Sequence, residues 1–336
     1  MVYVDFDLWR DSMFIGMLGA NITIMVSQAV IDSSTLIANV ISTIAALLVA
    51  AFIISWHFSN LIINNKTLSE EELKEISIED DPYSLDWYKE LYKEQYWIPS
   101  RYGYKLYAEY FPVKGEAKGT MIFSHGVTVS HITSIKYMRI FYEEGYHCLI
   151  YDHRRHGNSG GKFTSYGYYE KYDMQTVVDW LEERKGFHGK LGIHGESMGA
   201  AITILYAGMD GKADFYIADC PYSTILDQLL YRMRVEYNIK LEIVMRVVGL
   251  VVRLRAGFRL TDANCLEAVK KVTKPILFIH GSEDDYVTPD MSVKMHEAKP
   301  EPKELYLVPK SAHAKALATD PDKYRKIVFD FIKRYQ

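Results

Sequence analysis

The chain has 336 residues, 49% of them hydrophobic and 13% aromatic, which suits one large α/β domain plus an appendage. Its formal net charge of −4 creates no strong field for nucleic acid, and no nucleic-acid partner is expected. Cys148, Cys220 and Cys265 do not make a disulfide framework, and H-E-x-x-H, C-x-x-C and Walker glycine loops are all missing. Neither a metal nor any other cofactor is therefore expected.

The amino-terminal third is dominated by apolar sequence. From Ser12 to Asn65 the one formally charged side chain is Asp32. The stretch from Leu36 to Phe58 is long enough to cross a hydrocarbon core as a helix, and Trp56 and His57 stand near its carboxyl end, where interfacial anchors belong. Met13 to Ile31 is diluted by Asn21, Thr23, Ser27 and Gln28 and reads as a second span or an interfacial helix. A cleaved signal peptide fits poorly, because Asp5, Asp7 and Asp11 outnumber Arg10 before the apolar run. Residues 1–65 are thus expected to be a membrane anchor, with the bilayer as a partner. Lys66 and Lys74 after the span lean toward a cytoplasmic face for the domain that follows.

Residues 66–96 read as a helical connector. Ser69-Glu70-Glu71-Glu72 has the spacing of a capping box, Asp81-Pro82 breaks the helix it opens, and Asp86 to Tyr96 predicts another short helix at the domain edge. From about Trp97 strand-like and helix-like runs alternate. Tyr104 to Phe111 alternates as a half-buried strand would. Residues 120–124, 147–151, 215–218 and 275–279 are short continuous apolar runs suited to strands buried on both faces. Helical patterns intervene at Lys171–Glu183 and Pro289–Glu297. The alternation predicts a mainly parallel sheet with helices on both faces, and ligands in such sheets gather at the strands' carboxyl ends.

The motifs fall at those ends. Gly195-Glu196-Ser197-Met198-Gly199 stands between the strand-like 190–194 and the helix-like 200–206. Strand, G-x-S-x-G and helix together describe a nucleophile elbow, which lifts the Ser197 hydroxyl to the top of the sheet. His125-Gly126-Val127-Thr128 follows the first buried strand. The backbone N–H of Val127 is expected to join that of Met198 in an oxyanion hole, with His125 bracing the loop. His280-Gly281-Ser282-Glu283-Asp284-Asp285 follows a later strand. Asp284 is the favoured acid, with Asp285 and Asp219 as alternatives. His313 follows the last strand and completes the order serine, acid, histidine.

Together these residues resemble the α/β hydrolase superfamily over roughly 97–336. They are similar in particular to bacterial membrane-anchored hydrolases of the serine-aminopeptidase and monoglyceride-lipase-like group. The block Asp152 to Gly161, Ile217-Ala218-Asp219-Cys220-Pro221 and Ala312-His313 complete the likeness. The resemblance implies a helical cap at about 222–269. It also implies a structural role for the Asp152 loop, with the aspartate and an arginine holding each other. The expectation is a serine hydrolase acting on the carboxylic ester of an acyl or lipid-like small molecule, through Ser197, His313 and Asp284. A peptidase or amidase with the same triad, or a tethered binding protein keeping the fold, are the alternatives.

Overall fold

The computed structural model describes residues 33–239 and 242–335; the predicted second span at 13–31 lies outside them. Helix α1, Ser33–Ile63, is a single 31-residue run. At about 1.5 Å per residue it is roughly 46 Å long, more than the roughly 30 Å of a hydrocarbon core. Its segment Ser34–Ile63 is the one described helix long and apolar enough to cross a membrane, so the apolar helix extends beyond the predicted Leu36–Phe58 at both ends. The chain divides into two compact units, one ending at Ile53 and one running from Ile54 onward.

Within the second unit, Ile62 and Ile63 are buried in the main core. Two connector helices come next. The first, α2, spans Glu70–Asp80 and opens on the expected capping box, in which Ser69 and Glu72 satisfy each other's backbone N–H groups. The second, α3, is shorter than predicted and spans Ser84–Glu90. Residues Glu94–Pro99 form strand β1 instead of continuing it. They pair antiparallel with β2, Lys105–Phe111, so the sheet begins three residues before the expected boundary at Trp97. Cross-strand hydrogen bonds outweigh the weak local helical pattern here. The half-buried reading of β2 is also corrected. From Leu106 onward every residue is buried, because β2 has a paired strand on each edge and packed layers on both faces.

The remaining described strands are β3 Gly119–Ser124, β4 Tyr146–Tyr151, β5 Lys190–Glu196, β6 Phe215–Asp219, β7 Ile276–Gly281 and β8 Lys303–Val308. The eight described strands make one sheet in the order β1-β2-β4-β3-β5-β6-β7-β8. β2 pairs antiparallel with β4, and every pairing from β4 through β8 is parallel. The central strands divide their side chains between two cores. Ile122, Leu149, Ile193, Ala218 and Phe278 face one layer, and Met121, Phe123, Ile150, Ile217 and Ile279 face the other. Strict alternation between two apolar layers is why the strands read as continuous apolar runs. The architecture is that of an α/β hydrolase. The 222–269 insertion, where a cap is expected, forms helices Ile225–Tyr237, Glu242–Ala256 and Cys265–Val269.

Candidate active site

The elbow is built by close backbone approach. β5 ends at Glu196, and the next helix, Met198–Ala207, starts one residue after Ser197. Ser197 is forced to φ 55° and ψ −116°, a region that non-glycine residues enter at a cost of about 1–3 kcal/mol. Its N–H donates to the Asp219 carbonyl at the end of β6 (2.8 Å). Both flanking glycines are required. A Cβ on Gly195 would collide with the Gly199 backbone, and one on Gly199 would collide with the Ser124 carbonyl at the end of β3.

The structure brings together the three side chains predicted from sequence. Ser197 Oγ lies 3.0 Å from His313 Nε2, and His313 Nδ1 lies 2.7 Å from Asp284 Oδ2. Neither Asp285 nor Asp219 takes that position. With Nδ1–H donating to the carboxylate, Nε2 is left as the acceptor for the serine hydroxyl. Asp284 is tightly held. Its Oδ1 accepts from the Tyr286 and Val287 N–H groups (2.9 and 2.8 Å), and His280 Nε2 lies 3.1 Å from Oδ2. Burial alone would raise its pKa, but hydrogen bonds from His280 and His313 hold the carboxyl well below the usual range. A carboxylate that stays ionised keeps the histidine in one tautomer and favours its cationic form.

Met198 follows the serine directly, and the loop that carries Val127 passes close to it. Met198 is the first residue of its helix, and a Cβ on Gly126, next to Val127, would lie 3.6 Å from the Ser197 Cβ. Among the described residues neither the Val127 nor the Met198 N–H donates to a protein acceptor. The loop is held from behind as expected. His125 Nδ1 lies 2.7 Å from the Gly126 carbonyl, and its Nε2 accepts from the His153 N–H at 3.0 Å. Burial, with His153 and His156 nearby, keeps the His125 pKa well below its ordinary value, so it stays neutral and braces.

Two expectations about the neighbourhood need correction or extension. The Asp152 carboxylate does not pair with an arginine. It accepts from the His131 N–H and lies 2.8 Å from His131 Nδ1, and it also accepts from the Asn158 N–H (2.8 Å). Arg155 donates to the Asn65 carbonyl (2.6 Å). Arg154 instead lies over the rings of Tyr169, Tyr104 and Tyr102, at 4.5, 5.3 and 5.7 Å. His131 opens the short 3-10 helix His131–Ser134 that follows β3, and Asp152 stands directly after the end of β4. Asp219, the alternative acid, is buried and engaged by Tyr324 and Tyr137 hydroxyls (3.0 and 3.3 Å). Burial, reinforced by Glu196, pushes it up to about 6.

Sequence reasoning missed Lys136. Buried beneath the elbow, its ammonium lies 2.8 Å from Glu196 Oε2 and 2.7 Å from Asp80 Oδ2, and it donates to the Ala314 carbonyl at 3.1 Å. One cation thus joins the residue before the nucleophile, the residue after His313 and the end of the connector helix. Lys315 also reaches Asp80 (2.6 Å), so the connector is wired to the histidine loop. Burial works against the Lys136 charge, yet Glu196 and Asp80 outweigh it and raise the pKa above its ordinary 10.5. Within a short amphipathic helix, Ile135–Glu143, a lysine carries no local sign of this role. Cys220, directly after β6, is a buried free cysteine. Its sulfur lies within 4.8 Å of the Asp284 and His313 donor atoms. Burial raises its thiol well above the ordinary range, and Asp284 and His313 already satisfy each other, so the trio does not make a suitable ligand set.

Residues 57–235 match the X-Pro dipeptidyl-peptidase (S15) family. The chain belongs to the S15 family of α/β hydrolases. It is also 38% identical over 297 residues to YqkD of Bacillus subtilis, described as an uncharacterized protein, covering 88% of this chain and 97% of that one. Among solved structures it is similar to the Pyrococcus furiosus esterase Pf2001, with TM-score 0.59 and 25% identity over 76% of this chain and 93% of that one. It shares its fold with the acylaminoacyl peptidase of Pyrococcus horikoshii, with TM-score 0.56 and 20% identity over 75% of this chain and 43% of that one. This S15-family member is a hydrolase of the carboxylesterase-like or peptidase kind.

Proposed function

We propose that the chain is a membrane-anchored serine hydrolase that cleaves carboxylic esters of acyl or lipid-like substrates. The observation that carries this reading is the unbroken hydrogen-bond chain Ser197–His313–Asp284, at 3.0 and 2.7 Å. Ser197 Oγ attacks the acyl carbonyl while its proton passes to His313 Nε2, and Asp284 stabilises the imidazolium. The oxyanion is received by the Val127 and Met198 N–H groups, the second lying at a helix N-terminus that favours negative charge. Collapse breaks the ester C–O bond, and His313 returns the proton to the departing alcohol. Water, deprotonated by the same histidine, then releases the acid and restores Ser197. The uncharged helix α1 supplies the anchor, and Lys66 and Lys74 favour a cytoplasmic active site.

The S15 match supports a second reading, in which the same residues cleave an amide or peptide bond. Fluorophosphonate labelling and turnover of p-nitrophenyl esters, both lost in Ser197→Ala, are the expected results. A folded wild-type protein that takes no label overturns the serine mechanism. Turnover of aminoacyl or X-Pro anilides exceeding ester turnover replaces the esterase reading with the peptidase one.

A further inference from the structure

The cap helix Glu242–Ala256 is apolar toward the protein and apolar away from it. Met245, Val248, Val251 and Val252 are buried in the core. On the opposite side Ile243, Val247, Leu250 and Leu254 are 60%, 37%, 55% and 77% exposed, and their spacing of three to four residues lines them up along one face. Water-facing aliphatics scattered singly are ordinary, but a continuous stripe along about three turns marks an interaction surface.

Three observations identify what covers it. First, Arg255 ties the end of this helix to the end of α1. Its guanidinium donates to Ser59 Oγ (2.6 Å) and Asn60 Oδ1 (3.1 Å) and lies 4.0 Å over the Trp56 ring. The stripe therefore lies at the level where the uncharged helix ends. Second, Arg246 and Arg253 are exposed beside the stripe, and neither forms an ion pair among the described residues. Third, the segment 222–269 carries seven Lys and Arg (Arg232, Arg234, Lys240, Arg246, Arg253, Arg255, Arg259) against five Asp and Glu (Asp227, Glu236, Glu242, Asp262, Glu267), a net +2 within a chain of net −4.

We propose that helix Glu242–Ala256 docks on the phospholipid bilayer that holds α1. Its aliphatic stripe enters the boundary between headgroups and acyl chains, and Arg246 and Arg253 face lipid phosphates. The proposal rests on the reading of α1 as a membrane span. It places the site at the lipid surface, because the neighbouring cap helix touches the acid loop. Gln228 donates to the Tyr286 carbonyl (2.7 Å), and the Tyr286 ring lies 5.0 Å from that of His313.

The test uses the full chain in nanodiscs of phosphatidylcholine and phosphatidylglycerol. All three native cysteines are buried, so a fluorophore can be directed to Leu254→Cys, to Leu47→Cys within α1, or to the exposed Glu297→Cys as a water-facing control. Lipids brominated on the acyl chain should quench the Leu254 and Leu47 probes by about twofold or more and leave the Glu297 probe unchanged. Arg246→Glu with Arg253→Glu should weaken the Leu254 quenching. A Leu254 probe that behaves like the Glu297 one while Leu47 is quenched leaves the anchor standing and overturns the docking. A Leu254 probe that is blue-shifted but unquenched means another protein surface covers the stripe, which also overturns it. If the Leu47 probe is unquenched, the anchor reading falls and the docking falls with it.

Discussion

Replacing Lys136 by methionine removes one charge and leaves three groups without their shared partner. Asp80 keeps Lys315 at 2.6 Å. Glu196 keeps the Tyr137 hydroxyl at 2.7 Å but loses its cation while remaining buried, and the Ala314 carbonyl loses a donor. Stripping the counter-ion from a buried carboxylate costs about 3–5 kcal/mol. At roughly 2 °C per kcal/mol for a unit of this size, the melting temperature should fall by about 6–10 °C. The double variant Lys136→Met/Glu196→Gln removes the stranded charge as well and should recover a substantial part of that loss. The folded-state pKa of Asp80 is lowered from 3.8 and that of Lys136 raised from 10.5. The stabilisation is therefore present above the lower value and below the upper one, and it is lost only as pH falls through the folded pKa of Asp80 or rises through that of Lys136. Asp219, pushed up to about 6, is held down in part by Lys136, so the single-variant deficit should grow as pH rises past about 6 and level off by about pH 8 to 9. Differential scanning fluorimetry on wild type, both single variants and the double variant decides the matter. A single variant that melts within about 2 °C of wild type, or a double variant no better than the single, refutes the reasoning.

Three further outcomes are expected. Asp284→Asn should keep the fold but lower kcat by about four orders of magnitude, since the amide can no longer hold His313 in the required tautomer; a loss below tenfold in single-turnover ester cleavage would count against the assignment. Ser197→Gly should be inactive yet more stable than Ser197→Ala by about 1 kcal/mol, because glycine tolerates φ 55°, ψ −116° without strain; equal denaturant midpoints would show the elbow is unstrained. Stability should decline as pH drops below about 6.5, since burial pushes His153 and His194 down to about 3 while the unfolded chain protonates them, each contributing up to about 1.4 kcal/mol per pH unit. Asp173 and Asp219, pushed up to about 6, take protons in the native state and oppose the decline below that pH. The loss is therefore steepest just under 6.5, and urea midpoints equal at pH 7 and 5.5 would contradict it.

The central strands were legible because doubly buried positions permit only apolar side chains, which leaves continuous runs at 120–124, 147–151 and 275–279. Glu94–Pro99 escaped notice because its polar and aromatic residues fit a helix tail as well as a strand, and only pairing with Lys105–Phe111 decides between them. The elbow was legible because glycine spacing answers a local demand, the absence of a Cβ where backbones meet. Asp284 could be ranked above Asp285 and Asp219 but not separated from them, since that requires the direction in which each carboxylate points from its strand end.

The chain's own sequence determined the order serine, acid, histidine, the strand ends that bear them and the uncharged helix before them. These come from backbone preference and hydrophobic period, which neighbouring residues carry. Only tertiary structure decided that Asp152 holds His131 and not an arginine, that Arg154 rests on tyrosines, and that Lys136 joins Asp80, Glu196 and Ala314. A charge interacts with whatever the fold brings within a few ångströms of it, and residues 80, 136, 196 and 314 become neighbours only when the helices have docked on the sheet.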